Sequence, residues 1–145
     1  MRLKPVVYAI TILTYDRQRI FQRTANAELM IATLLRYRNQ GRFLLHAFVI
    51  MPDHIHVLIT PTESTTRAIQ FIKGGFSHAV REQYSGEVWH SGHHEHRIRD
   101  RDDFVAQKNY ITNNPTRKNY QDYPHIHTHH QDHLDPTPTD LHFED

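Results

Sequence analysis

The sequence predicts an α+β fold of the ferredoxin-like, split βαβ kind: a four-stranded antiparallel sheet with helices on one face and a further C-terminal helix. Three observations carry this expectation. Apolar runs at strand period and apolar stripes at helical period follow one another in the order β-α-β-β-α-β-α. The second and third strands are separated by Pro52-Asp53, a connection so short that the two must be antiparallel neighbours. A chain of 145 residues, 38% hydrophobic and 23% charged, has the size and composition of one domain with a real core.

The elements follow in order. Residues 6–14 are rich in β-branched and aromatic side chains and read as a buried strand. After a polar connection at Asp16–Arg19, Thr24 is placed to cap a helix, without the Glu or Gln that would complete a capping box. Over residues 25–40, Ala27, Ile31, Leu34 and Leu35 recur at helical spacing, and Gly41 supplies the stop. Arg36, Arg38 and Arg42 crowd this end, where cations suit the helix dipole; phosphate contact is the other use open to them.

Residues 43–50 and 54–60 form the hairpin around Pro52-Asp53. Residues 64–84 form a long helix with Ala68, Ile72, Phe76 and Ala79 on one stripe. Gly74-Gly75 weakens it by about 1 kcal/mol per glycine relative to alanine, which points to a close backbone approach or a kink. Residues 88–99 contain a turn at Ser91-Gly92 and the fourth strand. Asp100 then caps a helix over residues 101–114, with Asp102 and Asp103 in its first turn and Pro115 ending it.

Residues 1–123 hold all 17 Lys and Arg against 11 acids, a net +6, whereas residues 124–145 hold 5 acids, no Lys or Arg and 6 His. The body is thus the first domain, and residues 124–145 are an acidic, His-rich tail with no apolar face, expected to be mobile or extended and dispensable for folding. A mean hydropathy of −0.68 reflects this segment. No apolar run has the length of a membrane span, and the first five residues lack the apolar core of a signal peptide. The chain has no cysteine, which excludes disulfides and thiolate metal sites.

Two sets of residues could carry chemistry. On a strand, His54 and His56 share one face while Ile55, Val57 and Ile59 share the other. The two imidazoles are then a two-nitrogen metal clamp, or simply two polar residues on a solvated face. On the last helix, Tyr110 and Asn114 are four apart and lie on one side. A tyrosine hydroxyl is a weak nucleophile, with an ordinary pKa of about 10, and a divalent cation would assist it by polarising and orienting a phosphate. The plain alternative is a packed aromatic and an amide that caps the helix end.

Four blocks in this order, Met51-Pro52-Asp53-His54-Ile55-His56, Trp89, Glu95-His96-Arg97-Ile98-Arg99-Asp100 and Tyr110-Ile111-Thr112-Asn113-Asn114-Pro115, resemble the single-tyrosine HUH transposases. Within these, the chain is similar to the REP-associated tyrosine transposases and their IS200-like relatives, over about residues 5–120. The resemblance implies that His54, His56 and Asn114 bind a divalent metal, Mg²⁺ or Mn²⁺, and that Tyr110 on a catalytic C-terminal helix is the nucleophile. It implies metal-dependent cleavage and strand transfer of single-stranded DNA through a 5′-phosphotyrosine, the chemistry of DNA transposition. The DNA partner would be a hairpin or a simple strand. A homodimer is compatible, with Tyr110 serving its own His pair or its partner's. A cytoplasmic, nucleoid-associated location follows, with no membrane partner.

Arg36, Arg38, Lys73, Arg97, Arg99, Arg117 and Lys118 are candidate phosphate contacts, each equally explained as a solvated charge. Two departures from the family pattern stand out. Glu95 replaces the usual Asp, and the acidic tail replaces a basic or aromatic C-terminal segment. Rival readings are a non-catalytic nucleic-acid-binding domain of the same fold and a His-rich metal-binding protein working through its tail.

Overall fold

In the computed structural model of the chain, residues 5–117 and 134–136 are described, with residues 114–117 as backbone only. The elements are β1 (Tyr8–Leu13), α1 (Thr24–Asn39), β2 (Phe43–Met51), β3 (His54–Pro61), α2 (Thr65–Ala79), β4 (His94–Arg97) and α3 (Arg101–Arg117). The sheet order is β2-β3-β1-β4, and every neighbouring pair is antiparallel. This is the predicted split βαβ arrangement.

Strand parity divides the sheet into two faces, and each has its own core. Ile10, Ile12, Phe48, Ile50, Ile55, Val57 and Ile59 face α1 and α2, which contribute Ala27, Met30, Ile31, Leu34, Ile69, Ile72 and Phe76. Trp89 closes this core against Phe21 and Phe76, and its indole N–H donates to the Lys73 carbonyl. On the second face, Val7, Ala47, Val49, Met51 and Leu58 pack with Ile98 and with Phe104 and Ile111 of α3. The face left open by the first two helices is therefore the one on which α3 lies. Each large apolar side chain buried in these layers is worth roughly 1.5–3 kcal/mol.

Several boundaries differ from expectation for local reasons. Arg23, not Thr24, occupies the cap position of α1, and no side chain caps that end. Ser64 does cap α2, its hydroxyl oxygen accepting from the Arg67 amide. That helix ends at Ala79, short of the expected residue 84. Gly75 is the predicted close approach: a Cβ there would lie 2.5 Å from Tyr37 Cε2 and 3.1 Å from Thr33 Cγ2. Asp100 caps α3 as expected, accepting from the Asp103 amide at 2.7 Å. The helix does not stop before Pro115 but runs to Arg117. Proline removes one i→i−4 bond, a loss that so late in the helix affects only its final turn.

Of the acidic tail, Leu134, Asp135 and Pro136 are described, and they are seated on β2 rather than extended into solvent. The Asp135 amide donates to the Leu45 carbonyl at 2.7 Å, and its carboxylate accepts from the Leu45 amide at 2.9 Å. Arg38 closes the contact with two hydrogen bonds to the same carboxylate, at 2.8 and 3.1 Å. Leu134 packs against the first core.

Candidate active site

The hairpin at Pro52-Asp53 sets the geometry of the site. It joins β2 to β3 with Met51 opposite His54, and so places His54 and His56 at the start of a central strand. Both side chains lie on the α3 face, as strand parity predicts, with ring centroids 4.8 Å apart and planes at 82°. His54 is nearly buried, 9% exposed, and His56 is intermediate.

Each ring is held through Nδ1 by a neighbour to which the sequence reading gives no part in the site. On β1, Thr11 stands directly opposite His56, and its Oγ1 lies 2.8 Å from His56 Nδ1. His54 Nδ1–H donates to the Asp53 carboxylate at 2.7 Å. Asp53 is gripped in turn by the Arg17 guanidinium, at 2.9 and 3.0 Å. Burial pushes the Asp53 carboxyl up, but the His54 and Arg17 contacts outweigh it and hold it below its ordinary range. Arg17 reaches this position from a tight turn over Tyr15–Arg17 in which Asp16 and Arg17 both have positive φ, 53° and 54°. The sequence marks Asp16–Arg19 only as a polar connection, and with no glycine there it does not disclose the two positive φ angles.

Tyr110 faces the pair from α3. Its ring meets that of His56 edge-on at 5.8 Å and 83°, and the residue is 40% exposed. Phe104 and Ile111 anchor the buried side of α3, while Asp103, Gln107 and Tyr110 share the next side. Asp103 fixes the first turn to β4: its carboxylate accepts from His96 Nε2 at 2.9 Å and from the Arg99 amide at 2.9 Å. Burial raises the Asp103 carboxyl and these donors lower it, with a net shift downward. Between α3 and the sheet lies a cavity of about 130 Å³ lined by Thr11, His56, His94, His96, Gln107 and Tyr110, among others. His94, opposite Thr11 on β4, extends the row of polar groups across three strands and was not anticipated. Asn114 follows Tyr110 by one helical turn, and its side chain is outside the described residues.

The predicted phosphate contacts are dispersed. Arg36 and Arg38 end α1, where the Arg36 guanidinium lies 5.6 Å from the Tyr37 ring centroid and Arg38 holds Asp135. Lys73 Nζ donates to the His90 and Gly92 carbonyls and so supports the Ser91-Gly92 turn; burial lowers its pKa. Arg97 lies opposite Tyr8, on the α1–α2 side of the sheet, and Arg99 approaches Asp103 at 4.0 Å. Arg117 ends α3, and Lys118 is outside the described residues. Glu95 also faces the α1–α2 side, opposite Ile10 and near Thr65, so its difference from the family's Asp does not fall on the histidine face.

Among the described residues, no three His, Asp or Glu side chains form a closed metal cage. Two adjacent imidazoles, each with Nδ1 engaged, fit a catalytic cation that shares its coordination sphere with substrate and a further ligand. Among the described residues, no helix is long and apolar enough to cross a membrane.

An open antiparallel sheet with a histidine pair facing a tyrosine-bearing helix is the layout expected of the single-tyrosine HUH class. The chain belongs to the IS200-like transposase family, whose model matches residues 3–114, and is a DNA-cleaving enzyme of DNA transposition. It is 25% identical over 142 residues to an uncharacterised protein of Haemophilus influenzae, covering 74% of this chain and 79% of that one. Its structure is similar to that of a REP-associated tyrosine transposase bound to a REP hairpin, with a TM-score of 0.76, 20% identity and coverage of 99% and 89%. A putative transposase from Deinococcus radiodurans matches with a TM-score of 0.58 and 18% identity, over 77% of this chain and 92% of that one.

Proposed function

We propose that the chain cleaves and rejoins single-stranded DNA, with Tyr110 as nucleophile and His54, His56 and Asn114 as ligands of one divalent cation, Mg²⁺ or Mn²⁺. The observation that carries this reading is the contact between the Tyr110 and His56 rings within one chain, at 5.8 Å. It supports a site in which Tyr110 serves its own histidine pair. The phenolic oxygen attacks the scissile phosphorus as the bond to the 3′ oxygen breaks. The products are a 5′-phosphotyrosyl strand and a strand with a free 3′-hydroxyl. When bound, the cation neutralises charge on the phosphate and orients it for in-line attack. His54 and His56 hold their positions through Asp53 and Thr11, and Ile111 and Phe104 keep α3 seated. Strand transfer is the reverse reaction with another 3′-hydroxyl, and no nucleotide cofactor is needed because the phosphotyrosine conserves the phosphodiester bond energy.

The DNA-hairpin complex of the structural relative supports a hairpin as the substrate form. Arg99, Arg117 and Lys118 are the phosphate contacts we retain; Arg36 and Arg97 lie on the α1–α2 side, away from the histidines, and Arg38 and Lys73 have structural uses. Acting on chromosomal DNA places the enzyme in the cytoplasm with the nucleoid. Labelled hairpin and linear oligonucleotides incubated with the protein and Mg²⁺ or Mn²⁺ test the reading. A protein-bound 5′ product and a free 3′-hydroxyl product are expected, both absent with EDTA. Cleavage unaffected by EDTA, or binding with no cleavage of any strand, would contradict it.

A further inference from the structure

We propose that Thr11 and Asp53 are positioning residues that fix the His56 and His54 rings in the Nδ1–H tautomer, so that both ligate the cation through Nε2, with Arg17 holding Asp53 in place. The inference rests on the metal-site reading above and adds Thr11 and Arg17, which lie outside the motif blocks, together with a role for Asp53, which the sequence marks only as a turn residue within its block. A metal-binding imidazole needs one nitrogen protonated and directed at an acceptor, which sets ring orientation and raises the basicity of the other nitrogen. The His54 contact meets that requirement outright, and the His56 contact meets it when the Thr11 hydroxyl accepts and turns its own hydrogen elsewhere. His54 donates to a carboxylate at 2.7 Å, and a carboxylate can only accept. His56 lies 2.8 Å from a hydroxyl supplied by the adjacent strand, and the β1–β3 register puts Thr11 directly opposite it.

Each residue also has a bland explanation, which the structure weakens. Threonine is favoured in strands whatever it touches. Here its hydroxyl points to the histidine face and meets a ring nitrogen. Aspartate is a common turn residue. Yet the Pro52-Asp53 turn is fastened through the Asp53 backbone, whose carbonyl accepts from the Thr14 amide and hydroxyl, both at 3.0 Å. The carboxylate is thereby spared for His54 and Arg17. Two consecutive non-glycine residues at positive φ bring Arg17 to it, a strained conformation that persists where surrounding contacts over-determine it.

The test is a titration of the full chain with Co²⁺ at fixed pH, followed by its visible absorption, for the wild type, T11V, T11S, D53A and D53N, with H54A measuring the Co²⁺ taken up by the six tail histidines. Imidazole ¹⁵N spectra of the metal-free proteins report the tautomers. T11V keeps the shape and strand preference of threonine and removes the hydroxyl. It is expected to bind Co²⁺ about 10–100-fold more weakly and to lose the fixed His56 tautomer. T11S should restore both. D53A should weaken binding likewise, while D53N, whose amide oxygen still accepts from Nδ1–H, should fall between D53A and the wild type. Wild-type affinity and tautomer in both T11V and D53A would overturn the positioning role alone. A wild-type protein that takes up no more Co²⁺ than H54A would overturn the metal-site reading, and this inference with it.

Discussion

Asp135 shows how much one side chain outside the site contributes. Its carboxylate accepts from Arg38 and from the Leu45 amide, and its own backbone carbonyl lies 3.0 Å from His46 Nδ1. Asp135→Ala leaves the buried Leu45 amide without that acceptor and should destabilise the fold by about 1.5–3 kcal/mol, read from urea unfolding at pH 7. Burial raises the Asp135 carboxyl, but Arg38 and the Leu45 amide prevail and lower it. A depressed folded-state pKa means that this stabilisation is fully present above the ordinary carboxylate range, near pH 4. It is lost as pH falls through the lower folded-state value. The stability difference between wild type and Asp135→Ala should therefore shrink on acidification below about pH 4. A difference that stays constant would show that the charge is not what matters. This contact was not legible in the sequence, since Asp135 lies 97 residues from Arg38 and 90 from Leu45. His54 and His56, by contrast, were placed on one face by strand parity alone. Thr11 was missed because a cross-strand neighbour requires the register, which local pattern does not supply.

At the scale of elements, periodicity located the four strands and three α-helices of the described residues but not the single 3₁₀ turns at Tyr15–Arg17 and Ile20–Gln22, and its other errors lie at element ends. Helix α2 ends at Ala79 although residues up to 84 were expected, and its sequence gives no glycine or proline at the true boundary. The glycine pair inside it was informative but ambiguous between an approach and a kink. The structure separates the two positions. Nothing lies within 4 Å of a Cβ on Gly74, whereas one on Gly75 collides with Tyr37. Gly74→Ala should stabilise the protein by up to about 1 kcal/mol through helix propensity. Gly75→Ala should destabilise it by about 1–3 kcal/mol, because Tyr37, stacked on Phe71 at 5.1 Å, must shift. Denaturant midpoints of the two variants moving in the same direction would contradict the close-approach account.

Across the whole molecule, the two-faced sheet divides labour. Helices α1 and α2 build the larger core on one face, and α3 brings Tyr110 across the histidines on the other. β2 is an edge strand, and Leu134–Pro136 cover part of that edge at Leu45. An exposed edge is a pairing hazard that folds commonly cover. The composition of residues 124–145 suggested a dispensable segment, because it holds so few apolar residues. The anchor is instead one carboxylate and its backbone. A chain ending at residue 123 should therefore melt several degrees lower than the full-length protein, by calorimetry at equal concentration. An unchanged midpoint would make the docked segment ornamental.

Tyr110 is the proposed nucleophile of a single-chain site. Tyr110→Phe removes one oxygen and almost no volume from a residue that is 40% exposed, so the fold and the histidine pair should survive. The direct measurement is capture of the covalent protein–DNA adduct on single-stranded oligonucleotides, with peptide mapping of the modified residue, for the wild type and for Tyr110→Phe, Tyr120→Phe and Tyr123→Phe. The adduct is expected to map to Tyr110, to persist in the Tyr120 and Tyr123 variants, and to disappear in Tyr110→Phe while DNA binding is retained. An adduct that still forms in Tyr110→Phe would remove Tyr110 from the mechanism.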